Sequence, residues 1–103
     1  MKQAEVRVHD RRAGVLIEID PGRAYEFHYD DTYGGAPVSL TMPIDRRIYR
    51  FTCFPPFFEG LLPEGYNLEA LLRICKIDRY DLWRQLMTVG ADTVGAVTIF
   101  ECR

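Results

Sequence analysis

The chain has 103 residues, enough for one domain spanning 1–103 and not for two. With 48% hydrophobic and 13% aromatic residues it can build a core, although a domain of this size buries only about two-thirds of the surface its unfolded chain exposes, so modest stability without a partner is expected. A formal charge of −2 excludes a dedicated nucleic-acid binder, which needs a basic face against phosphates, and no run approaches the ~18 apolar residues of a membrane span.

From Glu5 to Asp20 valines and isoleucines alternate with polar residues: Val6 and Val8, a turn around Asp10 to Gly14, then Val15, Ile17 and Ile19. That pattern predicts strand, tight turn, strand. Pro21-Gly22 marks the next turn, and Tyr25, Phe27 and Tyr29 alternating with Glu26 and His28 predict a third strand with an aromatic face. Asp30 to Pro37 reads as a loop, Val38, Leu40 and Met42 alternate once more before Pro43, and Ile44 to Arg50 is basic and irregular. Phe57, Phe58, Leu61 and Leu62 then fall at helical spacing behind Pro55, with Pro63 and Gly65 as the stop. Asn67 is the expected N-cap of a second helix whose apolar stripe is Leu68, Leu71, Leu72 and Cys75. Asp78 is the expected cap of a third helix, with Asp81 in its first turn and Leu82, Leu86 and Val89 as its stripe. Trp83 and Met87 lie beside that stripe, and Gly90 is placed to end the helix in a left-handed conformation. Ala96 to Phe100 predicts a closing strand. The expected architecture is α+β, a small antiparallel sheet made of an N-terminal meander and a returning C-terminal strand, packed with two or three short helices.

Little in the chain suggests catalysis. Cys53, Cys75 and Cys102 have no short pairing interval and lie far in sequence from His9 and His28, so no zinc spacing is present. Cys53 and Cys75 are expected as small, reduced core residues. The first ten residues lack the apolar run of a secretory signal, and a cytoplasmic location is expected. Ser39, the sole serine, has no nucleophile-elbow sequence around it and reads as a strand residue. Gly90-Ala91-Asp92-Thr93-Val94-Gly95-Ala96 could cradle an anion but lacks the Walker lysine, and it fits better as a helix stop and tight turn, with Gly95 where the backbone must pass close to a neighbour. Asp30, Asp31, Glu59 and Glu64 each sit beside a turn, where solvated carboxylates are common. No cofactor or metal is expected.

The order and spacing of two runs are more specific. Pro37-Val38-Ser39-Leu40-Thr41-Met42-Pro43 is followed by Phe57-Phe58-Glu59-Gly60-Leu61-Leu62-Pro63-Glu64-Gly65, and Gly90 to Ala96 comes after both. Together they resemble the Pro-x-Ser-Leu-x-x-Pro, Phe-Phe-x-x-Leu-Leu-Pro and Gly-x-Asp-x-x-Gly-Ala signatures of the opening subdomain of HipA-type serine/threonine kinase toxins. Gly14-Val15-Leu16 and Tyr25 to Tyr29 fit the weaker upstream pattern, so the resemblance runs from about Val6 to Phe100.

In that family the nucleotide-binding and catalytic loops lie beyond this subdomain, and this chain ends soon after it. The resemblance therefore implies a non-enzymatic protein, most similar to the HipS antitoxin component of three-part HipBST systems. Its implied partners are a HipT-like kinase toxin, bound and neutralised in trans, and a helix-turn-helix, HipB-like protein that supplies operator binding, with no direct nucleic-acid or membrane contact. A subunit that completes and activates the kinase lobe, or a fragment of a full-length kinase, fits the same resemblance. The residues expected at the kinase surface are Glu64, Gly65, Tyr66 and Trp83, with Arg47 and Arg50 at the rim, because buried hot spots favour aromatic and arginine side chains. Trp83 serves equally well as a core residue. Phe57, Phe58, Leu61 and Leu62 belong to the fold, since exposing all four would invite aggregation.

Overall fold

The computed structural model describes residues 1–93 and 95–102. Five strands, β1 (Lys2–Val8), β2 (Arg11–Asp20), β3 (Ala24–Tyr29), β4 (Ile48–Phe51) and β5 (Val97–Glu101), form one antiparallel sheet in the order β4-β3-β2-β1-β5. Between β4 and β5 the chain makes α1 (Pro56–Glu59), α2 (Gly65–Cys75) and α3 (Leu82–Val89), with one further 3₁₀ turn over Gly90–Asp92. The expected α+β class is borne out.

Alternation along the strands decides which face is covered. Ala4, Val6 and Val8 of β1, Leu16 of β2, Tyr25, Phe27 and Tyr29 of β3, and Val97 and Ile99 of β5 are buried with Phe58 of α1 and Trp83 and Leu86 of α3. This is the two-layer arrangement that period-2 strands and an amphipathic helix demand. The β1–β2 hairpin turns on His9 and Asp10 alone, both with positive φ (51° and 64°), as two-residue hairpin turns require. It is tighter than the Asp10 to Gly14 turn read from the sequence, because positive φ is uncommon for any non-glycine residue, so His9-Asp10 signals the turn less strongly than a glycine pair would.

Four expectations from the end of β3 to the end of α2 need correction. The irregular Ile44 to Arg50 stretch contains the outer strand β4, paired Tyr49 to Phe27 and Arg50 to Glu26. Val38 to Met42 is not a strand: Ser39 and Met42 pair across a tight turn, so Ser39 is a turn residue. Helix α2 begins two residues before Asn67, with Glu64 at its N-cap. Cys53 and Cys75, expected in the core, are exposed.

Around α3, Asp78 accepts the Tyr80 N–H at 2.7 Å to close the preceding turn, while Asp81 is the cap, its carboxylate accepting the Arg84 N–H at 3.0 Å. The two glycines after the helix exchange their expected roles. Gly90 stays right-handed (φ −60°), and a Cβ there would lie 2.6 Å from Ile99 Cβ, so the close approach to β5 is what calls for glycine. Gly95 takes the positive φ, 113°, with open space around it. Val94 lies outside the described residues.

The Tyr29 hydroxyl, buried on the inner face, accepts the Val38 N–H at 2.9 Å and donates to the Met42 carbonyl. Burial pushes its phenol pKa above the usual value. Tyr29→Phe leaves a buried donor and acceptor unpaired and is expected to cost about 1–3 kcal/mol, measured by urea denaturation; a change under about 0.5 kcal/mol would contradict this bracing role.

Candidate interaction surface

The Glu64-Gly65-Tyr66 turn is built by the start of α2. Glu64 is extended (φ −127°, ψ 163°), Gly65 turns the chain with φ +59°, and nothing lies within 4 Å of where its Cβ would be. The turn therefore faces open solvent, and Tyr66 directly after it is 94% exposed. Helix α2 buries no residue fully: Leu68, Leu71 and Leu72 are half-covered and Ile74 is 74% exposed. It ends at Lys76, in the left-handed conformation, whose N–H caps the Leu72 carbonyl. On one side a cleft of about 600 Å³ separates it from α3, lined by Leu61, Leu62, Leu71 and Val89 with Asn67 and Asp92. Across the opposite side, Arg79 and Glu69 pair in solvent.

The other candidate residues lie elsewhere. Trp83 is a core residue, 3% exposed, and its indole Nε1 has no hydrogen-bond partner among the described residues. Its apolar neighbours, not a surface role, explain its place on the inner side of α3. Arg47 is half-buried and donates to the Asp30 and Tyr33 carbonyls at 3.0 and 2.9 Å, which makes it a brace for the loop before β4. Arg50 stands on the uncovered face of the sheet, 72% exposed, 3.4 Å from the Glu26 carboxylate. Glu26 also meets His28 Nε2 at 2.7 Å, and the His28 hydrogen bond, aided by the Arg50 charge, holds its pKa below the usual carboxylate range.

Among the described residues no cluster of histidine, cysteine, aspartate or glutamate could hold a metal, and no helix is long and apolar enough to cross a membrane.

The sequence profile of the HipA N-terminal domain matches residues 4–100. The chain belongs to the HipA N-terminal domain family. In three dimensions this HipA-family domain is similar to a solved N-terminal domain of HipA toxin, with a TM-score of 0.79 and 26% identity, covering 100% of this chain and 94% of that one. An uncharacterised protein of Haemophilus influenzae is 34% identical over 101 residues, 98% of this chain and 93% of its own length. The HipA-type runs occupy distinct places: Pro37 to Pro43 forms the braced turn before β4, and Phe57 to Gly65 covers all of α1 but Pro56, and the entry to α2.

Sequence reasoning missed three exposed apolar side chains, Leu40 at 94%, Ile74 at 74% and Tyr80 at 88%. Ile74 falls off the helical stripe, a signal that was available. Leu40 was hidden by an alternation that a turn reproduces as well as a strand.

Because Glu26 titrates below the usual range when folded, its contribution is present above about pH 4.3 and is lost as the pH falls through its folded value. Glu26→Gln is therefore expected to flatten the loss of stability between about pH 5 and 3, while changing stability at neutral pH by less than about 1 kcal/mol. Urea midpoints of both proteins at the two pH values check this.

Proposed function

We propose that this HipA-family domain is a non-catalytic antitoxin that binds a HipT-like kinase in trans and neutralises it, within a three-part system whose HipB-like protein contacts the operator. One observation carries this reading: residues 4–100 match the HipA N-terminal domain, and the fold is similar to a solved N-terminal domain of HipA toxin rather than to a catalytic lobe. The domain acts by occupancy, covering the kinase's N-terminal lobe and so blocking access to the active site or holding the nucleotide loop unproductively.

Tyr66 is the principal contact in this reading, with Glu64 and Gly65 shaping the turn that presents it and Arg50 at the rim. A tyrosine carries a large, rigid apolar surface at low entropic cost, which is what an interface anchor needs. Its exposure supports the role, since burial on the partner removes surface that the free domain leaves in water. Trp83 and Arg47 contribute indirectly, by fixing α3 and the loop before β4.

Growth of cells making a HipA-type kinase that lacks this domain, with and without this chain, tests the reading together with co-purification. Rescue with a stable complex is expected, and Tyr66→Ala should weaken the complex by about 30-fold or more, equivalent to about 2 kcal/mol, with an unchanged melting temperature. A complex without rescue would instead identify a lobe-completing subunit.

A further inference from the structure

The loop from Asp30 to Arg47 has no regular structure apart from the Ser39–Met42 pairing. Loops this long in compact domains are either functional or disordered, and this one is firmly braced. Tyr29 holds Val38 and Met42 from below, the Met42 N–H donates to the Ser39 carbonyl at 3.0 Å, and the Tyr49 hydroxyl donates to the Pro43 carbonyl at 2.6 Å. The Val38 and Met42 side chains are buried as anchors. Between them stands Leu40, 94% exposed.

Turn chemistry accounts for Ser39, whose hydroxyl accepts the Thr41 N–H at 3.2 Å, but nothing in the turn calls for leucine at its tip. The surroundings are distinctive too: 27% of the chain is charged, yet no residue from Thr32 to Ile44 is. Charge depletion at the centre with charge at the edge is the anatomy of a protein interface. The edge is supplied by Arg46, exposed above the Tyr49 ring. An uncharged centre does not suit nucleic acid or an anionic lipid surface, where cations must lead.

We propose that Leu40 is a preformed anchor that inserts into a leucine-sized apolar pocket on a folded protein partner, with Arg46 facing acidic groups at that pocket's rim. This rests on the reading given above, in which the partner is the HipA-related kinase, and it adds a second contact on a chain segment remote in sequence from Tyr66. The bracing matters to affinity, because a side chain already held in its bound position loses little freedom on docking. A second copy of the chain is the less suitable occupant. Its cleft beside α2 has apolar walls, but Asn67, Thr88 and Asp92 share the lining, and a knob-to-cleft contact of that kind would propagate head to tail.

The test measures binding of the full chain to the kinase by surface plasmon resonance, with sedimentation velocity and melting curves for each variant. Leu40→Ala should weaken binding about tenfold or more, mainly through faster dissociation, and Leu40→Asp should weaken it further. Leu40→Met should stay within about threefold of wild type, since it conserves volume and apolar character. Arg46→Glu should slow association. All melting temperatures should match wild type. A Leu40→Ala complex within twofold of wild type overturns the proposal while leaving the kinase reading intact. Failure of wild type itself to bind overturns both. Self-association that Leu40→Ala abolishes, or a lowered melting temperature for that variant, assigns the leucine to a copy of the chain or to its own fold and also overturns it.

Discussion

Tyr25, Phe27 and Tyr29 stand in a column on the inner face of β3, and each fastens a different part of the chain. Tyr25 meets Phe54 edge-on at 5.3 Å, while its hydroxyl accepts the Gly22 N–H and donates to the buried Glu18 carboxylate. Phe27 packs on Phe58 of α1 at 5.9 Å, tying the helical layer to the sheet. Tyr29 stacks on Tyr33 at 5.9 Å and organises the loop before β4. Aromatic rings suit this task because one side chain offers both a large apolar face and, in tyrosine, a polar tip for backbone groups that would otherwise be buried unpaired.

Away from that column the packing thins. Helix α3 is held by Trp83 and Leu86 within the core, and Gln85, almost fully buried, donates to the Asp78 and Arg79 carbonyls and so fixes the connection from α2. Helix α2 has no comparable anchor, and elements with few buried contacts are the ones that open most readily. The domain thus combines a rigid sheet-and-aromatic base with one helix whose apolar face is only half used. Such a division suits a docking module: the base fixes where the contact groups stand, and the loosely seated helix can settle on a partner at little cost.

Much of the base was legible in the sequence because one face of the sheet is buried and the other is not. Val6 and Val8, Tyr25 to Tyr29 and the final strand all announce themselves by strict alternation, and the Asp81 region by acidic residues ahead of an apolar stripe. Strand β4 did not, since four residues that include Arg50 and follow directly on Arg46-Arg47 carry too little pattern. The roles of Gly90 and Gly95 were not legible, because close approach and left-handed backbone select the same residue for different reasons. The surface was harder still. Tyr66 could be named from residue type, but Trp83 illustrates the ambiguity, as an aromatic beside a helical stripe fits core and interface equally until the fold places it. Leu40 required the hydrogen bonds of its loop, which depend on Tyr29 reaching across the sheet.

Strand β1 lies between β2 and β5, so the first strand of the chain is completed by the last: Ala4 pairs with Glu101 and Val8 with Val97. The β1–β2 and β2–β3 hairpins close over short loops, but this pairing joins segments separated by nearly the whole chain, and its loop entropy must be overcome before its contacts count. Long-range pairing of this kind forms more slowly than the two local hairpins. Until it docks, β1 presents an unpaired edge, open to strands of other molecules. During synthesis that exposed interval lasts until residues 97–101 are free to pair, which makes prompt capture of the final strand the step on which the yield of correctly folded protein depends.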